Sequence, residues 1–140
     1  MDKYLLLIRV MLRAVFGVLY DSTRGDAGEA ETEAASGQVE GLRRWPLSSG
    51  RGSGEGRKVP DGVRYHVLDI WVDELERAGQ DKEEEEKEGE EVGEEGQRRK
   101  KAVLGMVMGL VEGVAKDALA KGVRLRAKDV LADERLQEWR

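Results

Sequence analysis

Apolar side chains recur at helical spacing along residues 1–20 of the chain. At about 100° per residue they fall on one broad face, whereas Arg9 and Arg13 fall on the opposite side. A signal peptide is the weaker interpretation because its apolar region should be unbroken, and the segment is too short and too charged to span a membrane. We therefore predict an amphipathic helix whose wide face needs cover on more than one side. The candidates on this face for docking a partner are Leu5, Ile8, Leu12, Val15 and Phe16.

A second segment with helical periodicity covers residues 60–79. Asp61 offers a side chain of the type that caps a helix N-terminus, and Gly79 lies where a glycine would follow the helix C-terminus. The charged residues beside the apolar stripe are interpreted as a solvated side, made of Asp69, Asp73, Glu76 and Arg77. The candidates for docking a partner on the apolar stripe are Val67, Ile70, Trp71 and Leu75.

The remaining periodic sequence, residues 98–140, predicts a pair of C-terminal helices. The first helix is expected over about 98–119 and the second over about 123–139. Glycines recur every four residues in the first of them, at Gly105, Gly109 and Gly113. Because each interior glycine costs roughly 0.5–1 kcal/mol relative to alanine, we interpret this spacing as close packing against a neighbouring helix.

Two low-complexity inserts separate the periodic segments. Residues 21–59 are rich in Gly, Ser, Ala, Glu and Arg and show no hydrophobic period, which is typical of disorder. Residues 80–97 contain a block of acidic residues whose mutual repulsion opposes folding. A solvated extension of the preceding helix through Glu86 is compatible with the helix propensity of Glu and Lys. We predict disorder in both inserts.

The predicted elements define an all-α fold of short antiparallel helices in a HEAT-like or helical-hairpin arrangement, with two long disordered inserts. Of the 140 residues, 39% are hydrophobic and 38% are charged, and one Phe, three Tyr and three Trp leave few large core side chains. The folded part is therefore expected to be small and to share its core with another molecule.

The residue types that most enzymes and metal sites use are scarce in this sequence. There is no Cys, and His66 is the single His, so a thiolate metal site, a Cys nucleophile and an HExxH motif are excluded. Asp69 and Asp73 are spaced i, i+4, but beside Glu74 and Glu76 they look like part of an ordinary solvated helix face. The segment GRGSGEGRK lacks the Gly-Lys pair and the hydroxyl of a phosphate loop and follows no predicted strand. We therefore predict a protein that is not an enzyme and that binds no cofactor, metal or small-molecule substrate.

Basic residues occur in clusters although the net charge is −5 and the sequence pI is about 5.1. The acidic balance argues against the whole chain being a basic nucleic-acid binder, and solvated helix ends explain most such clusters. Arg43-Arg44-Trp45 nevertheless pairs cations with an aromatic ring, as RNA-binding segments can. The main candidates for RNA contact or nuclear import are Arg98, Arg99, Lys100, Lys101, Arg124, Arg126 and Lys128.

Three stretches resemble the nucleolar ribosomal RNA-processing protein 1 family. MDKYLLLIRVMLRAVFGVL resembles the family helix with the pattern DK(Y/F)xxL(I/V)R. VPDGVRYHVLDIWVDELERAG is similar to a second family helix, and the residues that keep its spacing are His66, Asp69, Ile70, Glu74 and Leu75. KGVRLRAKDVLADERLQEW resembles the helix that ends the conserved region in fungal members. Together the three stretches cover about half of the chain, and the inserts show no resemblance.

The resemblance implies a eukaryotic protein of the nucleus, chiefly of the nucleolus, that takes part in ribosomal RNA processing within preribosomes. It implies an α-helical, repeat-like fold and no known catalytic activity. Family members have further conserved helices before the Asp-Lys-Tyr helix, so the chain is expected to correspond to the C-terminal half of the conserved domain. The expected partners are preribosomal proteins, with ribosomal RNA as a second candidate, and no membrane.

The residues and the resemblance together predict a non-catalytic ribosome-assembly factor that acts as a helical scaffold within nucleolar preribosomes. Two alternatives stay open on the sequence alone. One is a generic helical module that binds other proteins outside ribosome assembly. The other is a truncated fragment without independent function.

Overall fold

The computed structural model of the chain describes residues 2–25, 27–44, 47, 60–86, 94–118 and 120–139. Regular structure within these ranges is entirely helical, which confirms the all-α fold class. The helices are α1 (Asp2–Asp21), α2 (Glu29–Arg44), α3 (Asp61–Glu86), α4 (Glu94–Asp117), α5 (Lys121–Leu131) and α6 (Glu134–Trp139).

The helices alternate between two layers. In one layer α3 lies between α1 and α5, and in the other α2 and α4 pack against each other and against α1. α1 and α3 run in the same direction, since His66 lies beside Leu5 at one end and Lys82 beside Asp21 at the other. Successive helices with short connections, such as α4 and α5, run back against each other. This alternation is the one expected of a HEAT-like stack.

α3 is the central helix of the core. Its side chains Leu68, Trp71 and Leu75 are almost completely buried, and buried residues occur on nearly every side of the helix over 63–79. Each large apolar side chain removed from water contributes roughly 1.5–3 kcal/mol before the entropy of ordering is subtracted. The sequence predicted a single apolar stripe on this helix, whereas α1, α4 and α5 cover it from several sides.

Glu74 is a buried carboxylate at the centre of the contact between α1 and α3. Its side chain is 0% exposed. Arg9 donates from Nη1 to Oε1 at 2.8 Å, and Arg13 donates from Nε to Oε2 at 3.0 Å. Because each carboxylate oxygen has a charged donor, paired hydrogen bonds offset the loss of water around the anion. The prediction of a solvated Glu74 is therefore wrong, and the two arginines opposite the apolar face of α1 bind α3.

Arginines from the start of α4 cap the C-terminal end of α1. The last carbonyl groups of a helix have no partner within the helix and carry partial negative charge. Arg99 donates to the carbonyl of Tyr20 at 2.9 Å and to Oγ1 of Thr23 at 3.0 Å. Arg98 donates to the carbonyl of Thr23 at 3.1 Å. These bonds hold the start of α4 against the end of α1.

α3 continues past Gly79, where the sequence pattern predicted its end. The helix runs to Glu86, which agrees with the helix propensity of Glu and Lys. A Cβ atom at position 79 would lie 2.7 Å from the hydroxyl of Tyr20, closer than real Cβ contacts allow. Gly79 therefore permits the close approach of α1 to α3 and does not mark a helix end.

Residues 29–44 form a helix, although the sequence predicts disorder throughout 21–59. Acidic residues fill the first turn of α2 and basic residues fill its last turn, so the charges suit the helix dipole. Ala35 and Leu42 are buried, and Val39 between them packs against the core. The disorder prediction is wrong for this stretch because a sparse stripe of small apolar residues is stabilised by α1 and α4.

Other parts of the two predicted inserts lie outside the described residues. These parts are 48–59 in the first insert and 87–93 in the second. Residues 45–46 of the WPL sequence also lie outside them. Leu47 is buried, and its N–H donates to a carbonyl of α2 at 2.9 Å. The leucine of this apolar sequence therefore packs on the core.

The C-terminal pair predicted over 98–140 is a set of three helices, α4 to α6. The carboxylate of Asp133 accepts a hydrogen bond from the backbone N–H of Arg135 at 2.8 Å and so caps the first turn of α6. This cap starts a separate helix after the break at residues 132–133. As a result Leu136 and Trp139, which lie off the apolar stripe of α5, are buried.

Arg135 ties α6 to α3. Its Nη1 donates to Asp73 at 2.6 Å and to Glu76 at 3.1 Å, while Nε and Nη2 donate to Asp133. The side-chain hydrogen bonds from Arg135 hold the pKa of Asp133 below its ordinary value, and the same bonds raise the pKa of Arg135. Asp73 and Glu76 were expected to be solvated but are partners of α6.

The glycine stripe of α4 faces open space. Gly105 and Gly109 are exposed, and a Cβ atom at either position or at Gly113 would meet no described atom within 4 Å. The opposite side of α4 is buried through residues such as Val107 and Val111. Close packing of the glycines against a neighbouring helix is therefore a wrong prediction for the described part of the chain.

Replacing Glu74 by Gln should destabilise the fold. Arg9 and Arg13 lose their anionic partner, but both are partly exposed and can be rehydrated. We therefore expect a loss of about 1–3 kcal/mol in the free energy of unfolding. Urea unfolding followed by tryptophan fluorescence measures the loss. Arg77→Gln is the matched control, since Arg77 lies 3.9 Å from Glu74 and is 57% exposed. Equal losses of unfolding free energy in the two variants would contradict a special stabilising role for the buried carboxylate of Glu74.

Replacing Arg99 by Met should lower the melting temperature. The variant keeps the aliphatic stem and loses the guanidinium bonds to the end of α1, which we expect to be worth about 1–3 kcal/mol. Circular dichroism during heating measures the shift. Lys101→Met, at an exposed position of the same helix, serves as the control and should melt like the wild type. An unchanged melting temperature for the Arg99 variant would show that the cap is not stabilising.

Replacing Asp133 by Asn should remove an acid-sensitive part of the stability. Since folding lowers the pKa of Asp133, its carboxylate contributes stability above its unfolded pKa of about 3.9, and that contribution is lost as pH falls through the lower folded pKa. The variant should be less stable than the wild type at about pH 6, and the two should converge once the pH falls below the lowered pKa of Asp133 in the folded protein.

Melting temperatures measured across this pH range test the expectation for Asp133. Asp129→Asn alters an exposed carboxyl of α5 and should follow the wild type throughout. A difference in melting temperature between the wild type and the Asp133 variant that stays constant with pH would show that the carboxylate of Asp133 is not the source of acid-sensitive stability.

Candidate interaction surfaces

The residues predicted to dock a partner form the protein's own core. All of them lie in α1 or α3. The buried members are Ile8, Leu12, Phe16, Val67, Ile70, Trp71 and Leu75. Leu5 and Val15 are half-buried. These side chains pack the helices of the chain against one another.

Three of the exposed large apolar side chains lie together on α1. Leu6, Leu7 and Val10, here called the α1 outer face, are 60%, 65% and 58% exposed. A single exposed leucine is ordinary, whereas a contiguous group marks an interaction surface. The sequence held a signal for this face, because residues 5–8 are an unbroken apolar run that no single helix face can contain. The particular residues were missed because periodicity does not say which side α3 covers.

A groove opens beside the α1 outer face, between the C-terminal parts of α1 and α3. It has a volume of about 400 Å³. Val10 and Ala14 from α1 and Ala78 from α3 are among its lining residues, and Asp81 and Lys82 lie at its charged end. A Cβ atom at Gly17 would lie 3.5 Å from Cε of Lys82, so the lysine side chain occupies the space over this glycine. We call this recess the α1–α3 groove. The small side chain of Ala14 leaves room for a larger side chain of another molecule.

The basic run 98–101 is mostly engaged within the molecule. Arg98 and Arg99 hold the end of α1. The Nζ of Lys100 lies 4.9 Å from the ring centroid of Trp139, which is a cation–π contact. Lys101 is exposed. The structure therefore gives the two arginines a role in folding and leaves Lys101 facing solvent.

The basic candidates of α5 also divide into residues that are engaged within the fold and a residue that faces solvent. Arg124 donates from Nη1 to a carbonyl in the connection between α4 and α5 at 2.6 Å. Arg126 pairs with Asp69 at 2.6 Å, and its guanidinium lies 5.6 Å from the ring centroid of Tyr65. Lys128 is exposed. Of these three candidates, Lys128 points away from the core.

Lys128 belongs to a surface whose residues could not be grouped from the sequence pattern alone. Lys121, Leu125 and Lys128 are exposed and recur at i, i+4 and i+7 on one face of α5. Leu125 is 50% exposed. We call these residues the α5 outer face. Two ammonium groups on either side of an apolar side chain can meet anionic groups of a partner.

His66 and the paired carboxylates of α3 make contacts within the fold. His66 makes a contact within the fold, with Nε2 3.3 Å from the carbonyl of Leu5. Asp69 and Asp73 are engaged by arginines of α5 and α6. Across the described ranges, no three His, Cys, Asp or Glu residues are grouped so that they could hold a metal ion. Within the same ranges, no helix combines the length and the apolar character needed to cross a membrane.

A family model matches the chain over residues 1–140, and its description is Nop52, nucleolar protein. No curated protein matches the chain. The family match includes α2 and the segments between the three stretches that resemble the ribosomal RNA-processing family, and it confirms that resemblance. On this match, the chain belongs to the Nop52 family of nucleolar proteins.

Proposed function

We propose that the chain is a non-catalytic ribosome-assembly factor in ribosomal RNA processing, and that it acts as a helical scaffold within nucleolar preribosomes. The family match over residues 1–140 is the observation that supports this proposal most directly. The described residues add two outward binding faces, on α1 and α5, which suit a protein that acts by contact.

The partners in this proposal are preribosomal proteins and ribosomal RNA, in the nucleus and nucleolus. The α5 outer face is the best-placed surface for an RNA backbone. Lys121 and Lys128 are two turns apart, about 10 Å along the helix, so each can meet a different phosphate. Leu125 lies between them and can pack against a base or a sugar.

Charge restricts where RNA can bind. The net charge of −5 and the acidic segment 80–97 repel phosphate at long range. A local contact through α5 is compatible with that balance, whereas a contact near the end of α3 is not. We propose that the acidic segment faces basic ribosomal proteins, for which its charge is attractive.

Depletion of the protein tests the role in ribosome assembly. The tagged full-length protein should co-sediment with preribosomes, and its depletion should make precursor ribosomal RNA accumulate. Gradient sedimentation and RNA blotting give the two readouts. Normal processing after depletion would reject the proposal.

The double variant Lys121→Glu/Lys128→Glu tests the α5 outer face separately. Reversal of two exposed charges should weaken binding to preribosomal RNA and reduce the salt dependence of binding by about one unit of slope for each lost phosphate contact. Arg77→Glu/Lys116→Glu, two exposed changes on α3 and α4, is the matched control. If both double variants bind like the wild type, RNA does not contact α5.

A further inference from the structure

The α1 outer face and the α1–α3 groove are complementary to each other in shape. The outer face projects the large side chains of Leu6 and Leu7. Ala14, a small residue that lines the groove, lies on the same side of α1. The spacing of a helix separates the leucines from Ala14 by about 11 Å along the axis. A surface with both a projection and its matching recess can pair with a second copy of itself about a two-fold axis.

We propose that two copies of the chain associate through an antiparallel contact between their α1 helices. Val10 lies about midway between Leu7 and Ala14, so the two-fold axis passes close to it. Leu7 of each copy then packs against Ala14 in the groove of the other copy. A large side chain meets a small one on either side of the axis, which lets the two helices approach closely.

A parallel contact of the same two faces fits less well. It would place Leu7 against Leu7 at one end and Ala14 against Ala14 at the other. The two helices would be held apart by the leucines, and the grooves would stay unfilled. Close packing therefore favours the antiparallel orientation.

The charges at the two ends of the surface favour the same orientation. Lys3 is exposed one turn before the leucines, and Asp81 is exposed at the far end of the groove. In the antiparallel contact Lys3 of each copy approaches Asp81 of the other copy, so the attraction occurs twice. In a parallel contact Lys3 of each copy would face Lys3 of the other copy. Exposed pairs of this kind add little affinity but help to select the orientation.

Leu125 provides a comparison within the same molecule. Its exposed fraction of 50% is close to that of the α1 leucines. It stands between two lysines of α5 rather than beside other exposed leucines. Self-association is therefore expected through α1 and not through α5. The proposed self-association does not depend on a role in ribosome assembly. It can therefore be tested on the purified chain alone.

Sedimentation velocity at increasing protein concentration tests the association. The wild-type chain should form a dimer, and Leu7→Glu should raise the dimer dissociation constant by about 100-fold or more, because a carboxylate would be buried in the groove. Leu125→Glu should dimerise like the wild type. Circular dichroism checks that all three proteins are folded. A wild-type chain that stays monomeric, or a Leu7 variant that dimerises normally, would overturn the proposal.

Cysteine crosslinking tests the orientation, and the absence of Cys from the chain makes single substitutions unambiguous. Val10→Cys near the two-fold axis should crosslink to itself under oxidation. Leu7→Cys should not, because the two copies of position 7 would be about 10 Å apart along the axis, beyond disulfide reach. A mixture of Leu7→Cys and Ala14→Cys chains should crosslink to each other. Self-crosslinking of the Leu7 variant as efficient as that of the Val10 variant would overturn the antiparallel contact.

Discussion

The buried carboxylate of Glu74 constrains how the two long helices of the core pack. An anion removed from water needs charged donors on its oxygens, and α1 supplies both through Arg9 and Arg13. Apolar contacts such as those of Phe16 and Trp71 provide most of the driving force. They tolerate small shifts between helices, however, whereas a shift of α1 by one turn would leave one oxygen of the carboxylate without its charged donor. We infer that the ion pairs select the register in which the apolar side chains pack.

Hydrophobic periodicity predicted α1 and most of α3, because large apolar residues recur there at helical spacing. It missed α2, whose buried side chains are as small as Ala35 and whose stability depends on neighbouring helices. It also misplaced Glu74. A pattern that sorts residues by polarity assigns every carboxylate to solvent, and the donors that pair with this one come from a distant part of the sequence. Gly79 likewise resembled a helix end, since the tyrosine that requires a glycine there belongs to another helix.

The candidate surfaces, like the fold, could be predicted from the sequence only in part. The width of the apolar arc on α1 indicated that one partner helix would not cover it, but not that Leu6 and Leu7 would be left exposed. Basic residues were harder to interpret, because folding uses many of them as caps and ion-pair partners. Arg99 is the clearest case, since its guanidinium is bound to the end of α1. The outward lysines of α5 could be distinguished from such residues only once the helix directions were known.

The chain thus combines a core that is joined by buried charges with two outward faces. The faces require this core, because it holds α1 and α5 in position. Amide hydrogen exchange of the purified chain, measured residue by residue, tests most directly whether α1 and α3 form one cooperative unit. The amides of both helices on either side of the Glu74 contact should share the slowest exchange in the protein. Rapid exchange throughout α1, at the rate of an unfolded peptide, with α3 still protected would contradict this structure.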